Sequence, residues 1–176
     1  MPDTPARGGR HGDAPLPPAA ADPAQAGRIV DMERTIAAPI DEVFDWMTDA
    51  TNYPRVPAVR RVTLVRPGDT HGHGAGAIRI VNTPLLRMTE EIVEYRRPTL
   101  MRYRITRSAP PLRHDEGYMA FREVPGGTRV RWYSRFEVDS PFARGPLTLL
   151  MVPLIAAGFR LALDTCAKEV RSTKKV

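Results

Sequence analysis

The order of the secondary-structure elements constrains this chain more than any other feature of its sequence. Between residues 59 and 138 we predict about six strands, because short apolar runs alternate with turns rich in Pro and Gly. The last run, 128–138, places Val130, Trp132 and Phe136 on one face and arginines on the other, which is typical of a sheet with one solvated face. A sheet of this length curls, and its apolar face needs a cover.

A helix that we predict from residue 146 to 171 is long enough to supply that cover. Its inward stripe is expected to consist of the residues that recur at helical spacing, which are Leu147, Leu150, Met151, Leu154, Leu161 and Thr165. Pro153 should kink this helix or divide it. Three very small residues follow, Ala156, Ala157 and Gly158. They leave room above the sheet for a ligand cavity or allow closer helix packing, and the element order favours the cavity.

The chain before the sheet divides into a tail and a folded start. Residues 1–27 hold one Leu and no aromatic residue, so we predict a disordered tail. A strand over 28–36 should lead into two short helices, since Pro39 suits a first helical turn. The first helix should end near Asp49. The prediction is therefore an α+β fold, with one ligand-binding domain over residues 28–176.

Composition argues against several classes of partner. The net charge is +6, but the basic residues are nearly all Arg and are spread along the chain, so we expect a solvated surface and no nucleic-acid partner. The single cysteine, Cys166, excludes an intramolecular disulfide and a CxxC metal site. We see no secretory signal, and the apolar stretch Leu147–Leu163 is interrupted by Pro153 and Arg160. A cytoplasmic location is the resulting expectation.

Several stretches occur in an order typical of one superfamily: RTIAAPIDEVFDWMTDATNYP, GAGAIR, EEIVEYRRP, and PGGTRVRWYSRFEV before the final helix. Over residues 28–173 the chain resembles the helix-grip superfamily of START domains, birch-pollen-type allergens and polyketide cyclases. It is most similar to the bacterial polyketide cyclase/dehydrase-like branch. The resemblance implies a curved antiparallel sheet of about six to seven strands wrapped around a long C-terminal helix. It also implies an internal cavity between the two.

Strand alternation predicts which polar side chains face inward. If Ile92 points inward, Glu90 and Glu94 do too, and Arg79 shares the inward face of the neighbouring strand. A buried Arg needs an anionic partner, so we expect Arg79 to pair with Glu90. Two roles stay open for this pair. It is either a structural salt bridge, or it orients a ligand carbonyl or enolate with Glu90 or Tyr103 as proton carrier.

The resemblance adds roles to these residues. In aromatase/cyclase members, an Arg on a central strand and nearby hydroxyl or Tyr groups orient the polyketide and assist enolisation, and Arg79 is the nearest equivalent here. Together with the two proton carriers suggested by alternation, the expected catalytic set is Arg79, Glu90 and Tyr103. The chain departs from those members in carrying Leu86-Arg87-Met88 where they have an aromatic-rich segment. The residues that we expect to contact a ligand are Met101, Phe121, Trp132, Ser134, Ala157 and Gly158.

The histidines do not suggest a metal centre. His71 and His73 lie in a Gly-rich loop without a cluster of further ligands, so we expect a solvated loop and no metal. His114 and Glu116 alternate in step with Tyr118, which predicts the outer face of the sheet for both. No dinucleotide or phosphate-loop motif is present, so we expect no organic cofactor.

Three functions remain open from the sequence. The first is binding of an apolar small molecule, such as a polyketide, an aromatic compound or a lipid, in an internal cavity. The second is polyketide cyclisation or dehydration without metal or organic cofactor. The third, with a membrane surface as the less favoured partner, is a lipid carrier that uses its positive charge and the helix at 147–163 as a gate. The sequence leaves the ligand and the oligomeric state open.

Overall fold

A computed structural model describes residues 28–172, in which one sheet carries two α-helices and a 3-10 helix. The predicted tail at residues 1–27 lies outside the described residues, as do residues 173–176. The elements in chain order are β1 (Arg28–Ile36), α1 (Ile40–Thr48), a 3-10 helix (Ala50–Arg55), β2 (Arg61–Arg66), β3 (Ile78–Asn82), β4 (Arg87–Arg96), β5 (Leu100–Ala109), β6 (Leu112–Val124), β7 (Gly127–Val138) and α2 (Arg144–Ser172).

The sheet has seven strands in the order β1-β7-β6-β5-β4-β3-β2. All neighbouring strands are antiparallel. The first strand pairs with the last, with Arg28 opposite Phe136 and Ile36 opposite Thr128. The two short helices therefore lead the chain from one edge of the sheet to the other. This architecture confirms the predicted α+β helix-grip fold.

One half of the inner sheet face, the face that both α-helices cover, is closed by α1. The apolar residues of α1 point at the sheet, and Val43, Phe44 and Met47 are fully buried. The ring of Phe44 contacts Phe121 of β6 edge-on, with the ring centroids 4.9 Å apart. Close packing of this kind leaves no room for a ligand between α1 and the strands beneath it.

Helix α2 continues through Pro153 as one element, so of the two predicted effects of this proline, a kink or a division, the division does not occur. Its buried face is also not the predicted leucine stripe, although the helix packs on β1, β7 and α1. The buried apolar residues, Ala162, Leu163, Cys166, Ala167 and Val170, all lie in its second half, whereas Leu147, Leu150, Leu154 and Leu161 are exposed. In the first half Thr148 is buried, and its hydroxyl accepts the backbone N–H of Val138 of β7 at 2.9 Å.

Bulges correct two predictions of side-chain direction. The β4–β5 register shifts between Ile92 and Glu94, and the β6–β7 register shifts between His114 and Glu116. One extra residue moves all later side chains of a strand to the opposite face. Glu94 therefore faces outward and pairs with Arg102, although alternation placed it inside. His114, predicted on the outer face, points inward, while Glu116 remains outside.

Candidate ligand-binding cavity

A cavity of about 310 Å³ lies between α2 and the strands β3 to β7, beside the half of the sheet that α1 covers. This volume is at the lower end of the range for small-molecule sites, roughly 300–1,000 Å³. Most of the lining is apolar, and includes Val59, Val81, Leu86, Met88, Ile105, Leu112, Phe136, Met151, Leu154, Ile155 and Phe159. Such a lining favours a ligand with a large apolar part.

Four of the six residues predicted to contact a ligand line this cavity. Trp132 and Ser134 come from β7, and Ala157 and Gly158 come from α2. The ring of Trp132 stacks on Phe159, with centroids 3.9 Å apart, so the two rings join the sheet to the helix. Gly158 faces open space, because a Cβ at this position would have no atom within 4 Å.

The other two predicted contacts, Met101 and Phe121, do not line the cavity. Both point inward as alternation predicted, but they lie in the packed core. Phe121 meets Phe44 of α1, as described above. The physical reason is the position of α1, which covers this part of the inner face and fills the space that the prediction assigned to a ligand.

Arg79 and Glu90 form a buried ion pair on opposed positions of β3 and β4. The Nε atom of Arg79 donates to Oε2 of Glu90 at 2.7 Å, and the two side chains are 3% and 8% exposed. Glu90 also lines the cavity, whereas Arg79 does not. Of the two, Glu90 is therefore the residue that can touch a ligand.

The remaining guanidinium nitrogens of Arg79 hold the short helices. Nη1 lies 3.5 Å from the Thr48 carbonyl, and Nη2 donates to the Tyr53 hydroxyl at 3.4 Å. Burial by itself lowers the pKa of Arg79, but the neighbouring Tyr53 and Glu90 outweigh it and raise the pKa above its ordinary value. Arg79 thus stays charged and ties the end of α1 and the 3-10 helix to the sheet.

Tyr103 presents a neutral hydroxyl at the cavity wall. Trp132 donates a hydrogen bond from Nε1 to this hydroxyl at 2.9 Å. Burial, together with the charge of Glu90, raises the pKa of Tyr103, and hydrogen bonds from Trp132 and Ser134 offset this only in part. The phenol is therefore protonated at neutral pH. Because its oxygen accepts from Trp132, its own proton remains for a ligand.

His114 packs against Tyr103. Its ring stacks on Tyr103, with centroids 5.4 Å apart. Nδ1 accepts the backbone N–H of Ile105 at 3.1 Å, so Nε2 carries the proton and donates to Oγ of Ser134, also at 3.1 Å. Burial lowers the pKa of His114 to about 4, which keeps the ring neutral. His114 is therefore joined to Ser134 by a hydrogen bond and to Tyr103 by ring stacking.

Strand alternation missed His114, although the sequence carried one signal for it. Gly117 lies on the inner face opposite Tyr103. A Cβ at this position would overlap the Tyr103 ring and come within 2.9 Å of Cε1 of His114. Glycine inside a strand marks a bulge or a close approach of other groups, and here it marks both.

The His71/His73 loop is largely exposed, as predicted, but His73 is partly buried and both histidines contact the rest of the domain. Nε2 of His73 lies 3.1 Å from Oδ1 of Asp49, and the His71 ring stacks on Tyr95. The first contact fastens the loop to the end of α1, and the second fastens it to β4. Within residues 28–172, no group of three or more His, Cys, Asp or Glu side chains is arranged to hold a metal ion.

Solved structures with this fold include proteins of different kinds. TTHA0849 from Thermus thermophilus is 22% identical with a TM-score of 0.69, over 83% of this chain and 99% of its own. The Zhui aromatase/cyclase from a Streptomyces species is 16% identical with a TM-score of 0.69, over 86% and 98%. A START superfamily protein from Mycobacterium smegmatis is 11% identical with a TM-score of 0.66, over 82% and 99%. At these identities the likeness shows the fold alone.

The sequence itself also identifies the family. No curated protein sequence matches the chain. Residues 28–171, however, match the family model described as polyketide cyclase / dehydrase and lipid transport. This range includes every strand and nearly all of α2. The chain is therefore a helix-grip protein and belongs to the polyketide cyclase/dehydrase and lipid transport family.

Proposed function

We propose that this protein binds an apolar small molecule that carries one polar group, such as a carbonyl. The observation that supports this most directly is the cavity beneath α2, whose apolar lining is interrupted by a few polar side chains on the sheet. Sites of this kind use apolar surface for affinity and a small number of polar groups for orientation. The family description, which names polyketides and lipid transport, supports the same class of ligand.

The polar side chains fix how such a ligand lies. Tyr103 offers a hydroxyl proton, and Glu90 and Ser134 line the cavity near it. The polar group of the ligand would meet the sheet at Tyr103. Its apolar part would then lie under α2 against Met151, Ile155 and Phe159.

Binding of a neutral apolar dye, such as phenylnaphthylamine, tests this proposal by fluorescence titration. Gly158→Leu and Ala157→Phe place new side chains in the cavity and should abolish most of the binding. Gly145→Leu is the matched control, since Gly145 lies on the same helix outside the cavity, and a Cβ there also meets nothing within 4 Å. Unchanged binding by the two cavity variants would overturn the proposal.

One observation favours a second function, the enolisation step of a cyclase or dehydratase. Tyr103 and Glu90 line one cavity, and Glu90 is the one carboxylate among its described lining residues. Oε2 of Glu90 accepts from Arg79, which leaves Oε1 to take a proton from the carbon next to a ligand carbonyl. The Tyr103 hydroxyl would then donate to the enolate oxygen as charge develops on it.

Hydrogen–deuterium exchange at the α-carbon of a β-ketothioester distinguishes this reaction from binding alone. In deuterated water, a cyclase-type enzyme should exchange the α-protons faster than buffer does, as followed by proton NMR. Glu90→Gln and Tyr103→Phe should each remove the acceleration. Exchange at the buffer rate by the wild-type protein, together with dye binding, would exclude the enolisation step and retain the binding function.

A further inference from the structure

The cavity opens between two rims that are rich in exposed leucine. Leu154 and Leu161 of α2 line the cavity and are also exposed to solvent. Opposite them, Leu85 in the β3–β4 turn lines the cavity and is 62% exposed. Leu147 and Leu150 extend the helix rim by two further turns without lining the cavity, and Leu150 is 63% exposed. We call this set of exposed leucines the mouth stripe.

Helix α2 is unusually apolar for a helix exposed to this extent. By length and composition alone it could cross a membrane, as the core helix of a globular domain also could. A core helix would be mostly buried, whereas 17% of the most apolar window of α2 is buried. All of its buried apolar residues lie in the second half, so the first half is largely uncovered except at Thr148. Phe142, just before α2, is 97% exposed. Contiguous apolar surface of this kind marks an interaction site.

The charged residues within the three segments that border the opening are all arginines. The segments that form it are residues 56–61, 82–88 and 144–161, and they contain arginine but neither Asp nor Glu. Arg144 pairs with Glu137. The other arginines of these segments form no ion pair within residues 28–172, and they are Arg60, Arg61, Arg87 and Arg160. The mouth stripe is therefore flanked by unpaired positive charge.

We propose that the mouth stripe docks on the surface of a bilayer that contains anionic phospholipid. Leucine and phenylalanine side chains enter the boundary between headgroups and acyl chains, and arginines contact lipid phosphates. A second copy of this chain fits less well, because a two-fold symmetric contact would bring the unpaired arginines of both copies together. Docking in this orientation would let an apolar ligand enter the cavity without crossing water, a consequence that rests on the proposed binding function.

Vesicle co-sedimentation tests the docking itself. Wild-type protein should bind vesicles of phosphatidylcholine mixed with phosphatidylglycerol at least about tenfold more tightly than vesicles of phosphatidylcholine alone. Leu147→Ser with Leu150→Ser, and separately Arg60→Gln with Arg87→Gln, should each weaken that binding by about tenfold or more. Val65→Ser with Val93→Ser is the control, since these exposed valines lie on β2 and β4 and do not line the opening.

Dye binding in vesicle-free solution separates this proposal from the proposed function. Leu147 and Leu150 do not line the cavity, so their double variant should bind phenylnaphthylamine like the wild type. Equal vesicle binding by wild type and the leucine variant would overturn the docking proposal. The docking proposal would also be overturned if neither protein binds vesicles and light scattering shows a wild-type dimer that becomes a monomer in the leucine variant. Absence of dye binding by the wild-type protein would contradict the proposed binding function but not the docking proposal.

Discussion

Arg79 and Glu90 face each other across β3 and β4, and Nε of Arg79 donates to Oε2 of Glu90 at 2.7 Å. The two residues of this pair have different further contacts. Arg79 is directed at Thr48 and Tyr53 and holds the short helices, while Glu90 reaches the cavity. The structural and ligand-orienting roles that the sequence left open are therefore compatible, because different members of the pair can perform them.

Removing Arg79 alone should be far more damaging than removing both partners. Arg79→Met leaves the buried Glu90 carboxylate without its cation, which typically costs about 3–5 kcal/mol. Arg79→Met with Glu90→Leu should recover much of that loss in the free energy of unfolding, measured with urea. Arg104→Met, which removes an exposed partner of Glu91, should change stability little. Equal losses in the single and double variants would contradict a coupled pair.

The Arg79–Glu90 pair was predictable because alternation holds between these strands. Their β3–β4 register is unbroken from Ile78 to Asn82. His114 was not predictable in this way, since the bulge between His114 and Glu116 reverses the direction of its side chain. Bulges depend on how two strands pair, and a single strand's hydrophobic pattern does not encode them.

The cavity lining was predictable only in part, and the reason here is not a bulge. Alternation correctly placed Met101 and Phe121 on the inner face, but which part of that face stays open depends on where α1 packs. The buried face of α2 was also mispredicted. Because apolar residues surround its first half on all sides, spacing alone does not select the face that meets β1 and β7.

The Tyr103 hydroxyl should contribute to both stability and ligand orientation. Tyr103→Phe keeps the ring but leaves Nε1 of Trp132 without its acceptor, which should cost about 1–3 kcal/mol of unfolding free energy. Binding of a naphthyl ketone should weaken more than binding of the corresponding hydrocarbon, as measured by calorimetry. Tyr133→Phe is the control, because Tyr133 does not line the cavity. Equal weakening for both ligands would argue against a hydrogen bond from Tyr103 to the carbonyl.

Adding one methyl group at Gly117 should disturb the packing of Tyr103 and His114. The new Cβ of Gly117→Ala would overlap the Tyr103 ring and press on His114, so one of the rings must move. We expect a lower melting temperature and weaker dye binding. Gly145→Ala serves as control, since its Cβ meets no atom within 4 Å and alanine suits a helix better than glycine. A Gly117→Ala protein with wild-type melting and binding would show that the ring packing is looser than described.

Stability should depend on pH through His114, whose pKa burial lowers from 6.5 to about 4. Between these pH values the unfolded chain binds a proton that the folded chain excludes, so acid favours unfolding. The contribution is complete above pH 6.5 and is lost as the pH falls to about 4, amounting to about 3 kcal/mol in total. His114→Gln cannot titrate, and other groups affect both proteins alike. Measured by urea unfolding across this range, the free energy of unfolding should therefore fall more steeply with decreasing pH for the wild type than for His114→Gln. Parallel declines in the two proteins would mean that His114 is not held neutral in the fold.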